Sequence, residues 1–260
     1  MEMQTATNRK WKGISGSTLK MVAIVSMLID HIGAGVLGRY LILSWSQAGN
    51  SGSAYMDLTD SLQLTYMIMR WIGRLAFPIF CFLLVEGFEH TGSVPKYVLR
   101  LAAFSIISEI PFDLLFSGTV LEFGYQNVFF TLLIGLLVMW GYRYLEHTVA
   151  NTIIRTLGYI ILLGGGMALA EFLRTDYAAT GVLCIMVLYI FRKTKTFQIL
   201  TGFVAFMWEV PASLAFLPIG LYNGTRGWKM KYFFYVFYPA HLLILYLLCY
   251  ILGIGYIAVV

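Results

Sequence analysis

Long apolar stretches alternate with short polar connections along almost the whole chain. A helix needs about 20 mostly apolar residues to cross the hydrocarbon core of a bilayer, and most of these stretches reach that length. The pattern predicts eight membrane helices, over residues 17–43, 62–88, 97–116, 127–145, 152–172, 177–191, 197–221 and 231–255. The predicted fold class is therefore all-α: a polytopic transmembrane helix bundle in which residues 1–260 form a single integral membrane domain.

The seventh predicted segment, residues 197–221, is interrupted by polar and helix-breaking residues. It carries Glu209, closely followed by Pro211, and then Pro218. Proline removes an amide donor and kinks or ends a helix. We therefore expect this segment to be broken or re-entrant, an arrangement that membranes tolerate where the irregular backbone lines a protein cavity.

Composition agrees with this pattern. The chain is 59% hydrophobic and 12% charged, whereas soluble domains are about 25% charged. The net charge of +5 does not indicate a nucleic-acid partner, because the Lys and Arg residues lie in several short loops. Cys81, Cys184 and Cys249 lie in apolar runs without a CxxC motif, which argues against a disulfide or a thiolate metal site.

Lys and Arg residues are concentrated in alternate loops, which predicts an orientation. Residues 1–16 form a basic lead-in, whereas the loops at 44–61 and 117–126 carry acidic residues only. The positive-inside rule then places the N-terminus in the cytoplasm and these two loops outside. The loop 223–231 is also basic, so we expect it on the cytoplasmic side, which requires residues 197–221 to cross twice or to re-enter.

Several charged or histidine residues lie inside the predicted helices. Each such charge costs roughly 2.5–3.5 kcal/mol at mid-bilayer, so these residues are rare and often functional. Spacing groups them: Arg70 and Arg74 share a helix face, as do Glu109 and Asp113. The full set is Asp30, His31, Arg70, Arg74, Glu86, Glu109, Asp113, Glu209 and His241.

His31 is the foremost functional candidate, and Gly35 follows it by about one helical turn. Small residues allow helices to pack closely in membranes, so we expect His31 to face the bundle interior. Structural interpretations also exist: Arg74 would form a buried ion pair with Asp30 or Glu109. His31, His241 and a carboxylate are a conceivable metal site, but no HExxH-type spacing supports it, and no metal is expected.

Six blocks resemble, in order, the motifs of the TraX family of polytopic membrane proteins. The blocks span Leu19 to Leu243, nearly the whole chain. One departure is Ala178 in DYAATG, where glycine is expected for a tight backbone approach. The blocks are LKMVAIVSMLIDHIGA, WIGRLAFPIFCFLLVEGFEHTG, YVLRLAAFSIISEIPFDLLF, QNVFFTLLIGLL, DYAATGVL and LYNGTRG…YFFYVFYPAHLL.

The resemblance implies an enzyme that transfers an acetyl group from acetyl-CoA to an amine. The family is named after the conjugative pilin acetylase, so the implied acceptor is a peptide or pilin-like N-terminus. Acyl transfer needs a base for the attacking group, and neutral histidine is the usual choice. His31 is the expected general base, Asp30 or a facing carboxylate such as Glu109 its helper, and His241 the next candidate base.

The same resemblance implies a site for acetyl-CoA as the acyl donor. Arg70 and Arg74 are expected to stabilise the oxyanion or to bind the CoA phosphates, since Arg suits both tasks. Asn127 and Tyr238, in the resembling blocks QNVFF and FYPAH, are assigned to the same cofactor site.

Two alternatives remain open. The first is a membrane acyltransferase whose acceptor is a hydroxyl or amine of a cell-envelope sugar, since the family also resembles enzymes that acetylate sugars across a bilayer. The second is a proton-coupled transporter, in which the intramembrane Asp, Glu and His side chains would relay protons; no inverted repeat supports it. The expected location is the bacterial inner membrane, with lipid, acetyl-CoA and a peptide, protein or glycan acceptor as partners.

Overall fold

A computed structural model describes residues 13–47, 53–229 and 231–259, except for the side chains of residue 47, residues 53–59 and residue 231. Most of the basic lead-in and the tip of the loop 44–61 lie outside these ranges. Within them the chain is helical, and the only β-type pairings are two isolated bridges. The helices are α1 Gly16–His31, α2 Gly38–Gln47, α3 Ser53–Gly73, α4 Ala76–Glu89, α5 Val94–Phe116, α6 Val128–Thr148, α7 Thr152–Phe172, α8 Ala178–Ile190, α9 Lys195–Ala205, α10 Val210–Ser213, α11 Phe216–Gly220 and α12 Lys231–Ile251.

The chain is a multi-pass membrane protein. Five helical stretches are long and apolar enough to span a bilayer: Gly16–Ser46, Asp60–Glu89, Val128–Thr148, Thr152–Phe172 and Tyr232–Ile251. Helix α5 is equally long but carries four charged residues, and α8 is shorter and strongly apolar. With these two, seven helical stretches of the described ranges are candidates to cross the bilayer, and the predicted count of eight is not confirmed. The predicted polytopic helix bundle is confirmed.

The first pass is not a regular helix. A π-helical segment, Ile32–Leu37, joins α1 to α2 directly after His31. Gly33 and Gly35 lie in this segment, and a Cβ on Gly35 would overlap the side chain of Leu115 in α5. The glycines therefore allow the widened turn to pack closely on its neighbours, and π segments of this kind are frequent at functional sites.

The second pass is broken near its middle. Helix α3 ends at Gly73, Arg74 and Leu75 form a turn, and α4 begins at Ala76. Pro78 follows two residues later and has no amide hydrogen to donate to the carbonyl of Arg74. The break therefore lies where the sequence cannot complete a helical turn.

Residues 195–220 form a re-entrant hairpin. Helix α9 has 11 residues and is about 16 Å long at 1.5 Å per residue, roughly half the hydrocarbon thickness. A 3₁₀ turn, Met207–Glu209, reverses the chain, and α10 and α11 return it. Lys195 Nζ, at the start, donates to the carbonyl of Tyr222, just past the end, at 2.5 Å. The two ends of the hairpin therefore lie on the same side of the bundle.

The basic loops lie on one face of the bundle. Loop 221–228 pairs with the chain ahead of α1 through Ile14 N to Leu221 O and Gly16 N to Thr225 O, at 2.9 and 2.8 Å. On the opposite face, Gln126 N donates to Arg174 O and Val259 N to Phe116 O, at 3.0 and 2.7 Å. The part of loop 223–231 that is described thus lies beside the start of α1, as expected.

This sidedness predicts a labelling pattern. Exposed positions are substituted one at a time as Lys193→Cys, Lys229→Cys and Leu121→Cys; the native cysteines are buried and are replaced by Ala. With a membrane-impermeant maleimide, Leu121→Cys should react in intact cells, and the other two only after permeabilisation. Reaction of Lys229→Cys from the same side as Leu121→Cys would contradict the re-entrant hairpin. If Leu121→Cys reacted only after permeabilisation and the other two reacted in intact cells, the cytoplasmic location of the N-terminus would be wrong, but the hairpin would stand.

Candidate functional site

The irregular segments of the first two passes meet around a partly open cavity of about 400 Å³. Its wall includes the end of α1, the break between α3 and α4, and the two connections 117–127 and 173–177. Five of the predicted site residues line it, and aromatic side chains cover much of the remaining wall. These five are Asp30, His31, Arg70, Arg74 and Tyr238.

The two intramembrane histidines form a hydrogen-bonded pair. His31 Nδ1 lies 2.7 Å from His241 Nε2, and His241 Nδ1 lies 2.7 Å from the carbonyl oxygen of Phe237. The rings lie edge to edge in nearly the same plane, with centroids 5.0 Å apart and planes 1° from parallel. Both side chains are buried.

The hydrogen bonds assign the protons on this pair. A carbonyl oxygen only accepts, so His241 Nδ1 carries a hydrogen and, in the neutral ring, the lone pair is on Nε2. His241 Nε2 must then accept from His31 Nδ1–H, which leaves the lone pair of His31 on its own Nε2. Because His31 lines the cavity and His241 does not, His31 is the histidine available to a ligand there.

The two arginines of the cavity are held by carboxylates. Arg70 Nη1 lies 2.7 Å from Asp30 Oδ2, and Arg74 Nε lies 2.6 Å from Glu209 Oε1. Asp30 therefore pairs with Arg70 and not with His31, whose partner is His241. The expected partner of Arg74 was Asp30 or Glu109, and the structure places Glu209, in the turn of the hairpin, there instead.

The connection 173–177 reaches into the same cavity. Tyr125 donates its hydroxyl hydrogen to Asp176 Oδ1 at 2.6 Å, and Tyr177 stacks on Phe77 with ring centroids 3.7 Å apart. Tyr177 and Ala178 have φ angles of +65° and +42°. This left-handed region costs a residue with a Cβ roughly 1–2 kcal/mol. Glycine is therefore the residue that position 178 would favour, and Ala178 adopts the conformation at that cost.

Glu109 and Asn127 lie together, away from the cavity wall. Asn127 caps α6 by accepting from Phe129 N at 3.0 Å, and its amide donates to Ser105 O at 2.9 Å and also to Glu109. One turn along α5, Asp113 accepts from Glu122 N at 2.8 Å. These contacts fix the connection 117–127 against α5. In the structure, both residues make contacts that stabilise the fold.

The sequence therefore identified six of the side chains that meet here, five on the wall and His241 behind His31. It missed Glu209 as the partner of Arg74, and it gave no site role to Tyr125, Asp176 or Tyr177, although the last two lie in the block DYAATGVL. Within the described ranges, no three His, Cys, Asp or Glu side chains are grouped as metal ligands.

These features define a multi-pass membrane protein with a polar cavity inside its bundle, lined by ion-paired arginines and one member of a histidine pair. The chain matches the family described as "TraX protein" over residues 15–249 and belongs to that family. It is also 30% identical over 254 residues to "Probable fimbrial assembly protein FimC, serogroup H1" of Dichelobacter nodosus, covering 89% of this chain and 94% of the relative. No solved structure matches the chain.

The close approach of α1 and α3 at the Asp30–Arg70 pair is testable through Gly73. A Cβ at Gly73 would overlap the Asp30 side chain, whereas one at Gly164 in α7 meets nothing within 4 Å. Gly73→Ala should therefore lower the free energy of unfolding by about 1–3 kcal/mol, the usual cost of overpacking. Gly164→Ala should be neutral or slightly stabilising. Thermal unfolding of both variants in the same detergent measures this, and equal stability would contradict the packing described.

Proposed function

We propose that this protein is an integral membrane acetyltransferase, which moves an acetyl group from cytoplasmic acetyl-CoA to an amine at the terminus of a peptide or pilin-like protein. Membership of the TraX family supports a pilin-related role. The name of the Dichelobacter nodosus relative, a fimbrial assembly protein, agrees with it.

One observation carries the proposal: the chain of hydrogen bonds from Phe237 O through His241 to His31. The chain orients the imidazole of His31 and leaves its Nε2 lone pair for a ligand in the cavity. A general base must lie within hydrogen-bond reach of the proton that it takes. His31 is therefore the base, and His241 is the residue that positions it, the part that the sequence suggested for Asp30.

The reaction needs one base and one set of donors. His31 Nε2 takes a proton from the acceptor amine, whose nitrogen attacks the thioester carbon and forms the new C–N bond. The carbonyl oxygen becomes negative, and the carbon–sulfur bond then breaks as the carbonyl re-forms. The thiolate leaves and takes the proton from the His31 imidazolium, so the base returns to its neutral form.

Arg70 and Arg74 are the donors for the oxygen that becomes negative. A guanidinium carries five N–H groups, and the ion pairs with Asp30 and Glu209 engage Nη1 of Arg70 and Nε of Arg74. Arg74 also hydrogen-bonds to the side chain of Tyr177. The N–H groups left over on the two guanidinium groups stabilise the oxyanion, the usual use of fixed positive charge in acyl transfer. Asp30 and Glu209 then hold each guanidinium in place.

The charge of the cavity favours an amine acceptor over a sugar hydroxyl. Asp30 and Asp176 line it together with Arg70 and Arg74, and Glu209 joins Arg74 from the hairpin. Three carboxylates against two guanidinium groups attract an ammonium ion. It releases one proton to water to become the neutral amine, and His31 takes the second during attack. A neutral sugar hydroxyl is not attracted by this excess of negative charge.

The assignment of the base predicts the outcome of substitution. His31→Gln removes the basic nitrogen and should lower acetyl transfer to a peptide with a free N-terminus by roughly 10²–10⁴-fold. His241→Gln should be milder, because its amide oxygen can still accept from His31 Nδ1. His147→Gln, at an exposed position of α6, is the control and should keep the wild-type rate. Mass spectrometry of the peptide measures the acetyl group gained.

Acetyl-CoA binding should survive in His31→Gln, since the base acts on the acceptor and not on the cofactor. A folded His31→Gln variant that acetylates at the wild-type rate would remove His31 from the mechanism. Acetylation of a glycan in place of the peptide would favour the sugar acyltransferase, and absence of acetyl-CoA binding by the wild-type protein would favour the transporter.

A further inference from the structure

A second cavity, of about 530 Å³, opens near the face that carries the basic loops. Its wall is formed by the start of α1, the ends of α4, α5 and α12 that lie on this face, and loop 222–228. Binding sites for small molecules and cofactors commonly fall in this range of volume. Gly16 and Arg226, whose segments are joined by backbone hydrogen bonds, both line it.

The charge of this cavity is the opposite of the first. Lys20, Arg100 and Arg226 line it against one carboxylate, that of Glu86. None of the three cations makes an ion pair with a carboxylate in the part of the chain that the structure describes, unlike Arg70 and Arg74. Arg100 Nε is buried and has no hydrogen-bond acceptor there.

The one carboxylate is already engaged by a phenol. Tyr222 hydrogen-bonds to Glu86, and burial together with the negative charge of Glu86 raises the pKa of Tyr222 to about 12, so the phenol keeps its proton at neutral pH. Among the described residues the cations contact aromatic side chains, Arg100 with Tyr97 and Tyr235 and Lys20 with Phe234. Their charge is therefore available to an external anion. Other aromatic rings line the same space, Tyr97, Phe234 and Tyr235, and rings of this kind stack with nucleic-acid bases.

Phe80 of α4 connects the two cavities. Its ring lines both of them, and it packs against both of the apolar clusters that make up the core. The side chain is only partly buried. Phe80 is therefore the wall between a basic cavity near one face and the cavity of His31 inside the bundle.

We propose that the basic cavity binds the adenosine 3′,5′-bisphosphate end of acetyl-CoA, and that the pantetheine arm passes Phe80 to bring the thioester to His31. This inference rests on the proposed function. The phosphates meet Lys20, Arg100 and Arg226, since arginine binds phosphate through paired hydrogen bonds. It also assigns Arg70 and Arg74 to the oxyanion and not to the phosphates, because carboxylates already neutralise both.

The test uses the full chain in nanodiscs of zwitterionic lipid, with adenosine 3′,5′-bisphosphate itself as the titrated ligand. Arg100→Gln and Arg226→Gln should each weaken its binding by roughly tenfold or more, the loss expected for a hydrogen bond between charged groups. Lys193→Gln, an exposed charge that lines neither cavity, should leave binding unchanged. Arg100→Lys should retain more affinity than Arg100→Gln, whereas a folding defect would lower both alike.

The passage at Phe80 is tested separately. Phe80→Trp should leave binding of the bisphosphate intact and lower acetyl transfer at least tenfold, because a larger ring narrows the route of the pantetheine arm. Phe203→Trp, on α9 and outside both cavities, is the matched control and should behave as wild type. Full activity in Phe80→Trp would overturn the proposed route.

The outcomes separate this inference from the proposed function. Acetyl transfer by a wild-type protein that binds no bisphosphate, or binds it equally well without Arg100 and Arg226, would overturn the inference and leave the function standing. Bisphosphate binding that both arginines strengthen, in a protein without acetyl transfer, would support the cavity assignment and overturn the function. Displacement of the bisphosphate by anionic lipid at low mole fraction would assign the cavity to a lipid headgroup and overturn the inference.

Discussion

The ion pair between Arg74 and Glu209 satisfies two requirements of the bilayer at once. A charge without a partner in hydrocarbon is costly, and so is a broken helix whose backbone groups have lost their hydrogen bonds. Arg74 lies at the break between α3 and α4, and Glu209 lies in the turn of the re-entrant hairpin. Each irregular segment therefore supplies the charge that the other needs. This contact joins the turn of the hairpin to the break between α3 and α4, beside the cavity that Arg74 lines.

The cavity lined by His31 lies where three irregular stretches meet: the π segment after His31, the turn at Arg74 and Leu75, and the connection at Tyr177 and Ala178. Regular helices hold their side chains at fixed intervals around a cylinder and leave little space between them. Interrupting them opens a polar space and turns side chains into it, a use of irregular backbone that membrane proteins tolerate only inside the protein. The left-handed residues there carry strain, which the stacking of Tyr177 on Phe77 helps to offset.

Sequence was sufficient for the membrane class, most of the helical segments and the break in residues 197–221, because apolar length and proline act locally. It also singled out His31, Arg70 and Arg74, since a charge in an apolar run is visible without a fold. The sequence did not show which side chains these residues would contact. Asp30 was expected beside His31 as its neighbour in the chain, yet successive helical residues point in different directions, and α12 supplies His241 instead. Asp176 and Tyr177 lie in a short polar connection, where no pattern distinguishes a buried loop from an exposed one.

The two cavities carry opposite net charge, an arrangement that suits the proposed acyl transfer. Unpaired cations beside the reacting atoms would stabilise the CoA phosphates. They would also place excess positive charge next to Nε2 of His31, which disfavours protonation of that nitrogen. Paired arginines avoid this, since Asp30 and Glu209 cancel their net charge while leaving N–H groups for an oxyanion. The unpaired cations lie instead on the far side of Phe80. In the proposed mechanism His31 gains a proton in a largely desolvated cavity, and the excess of carboxylates there would stabilise its imidazolium form.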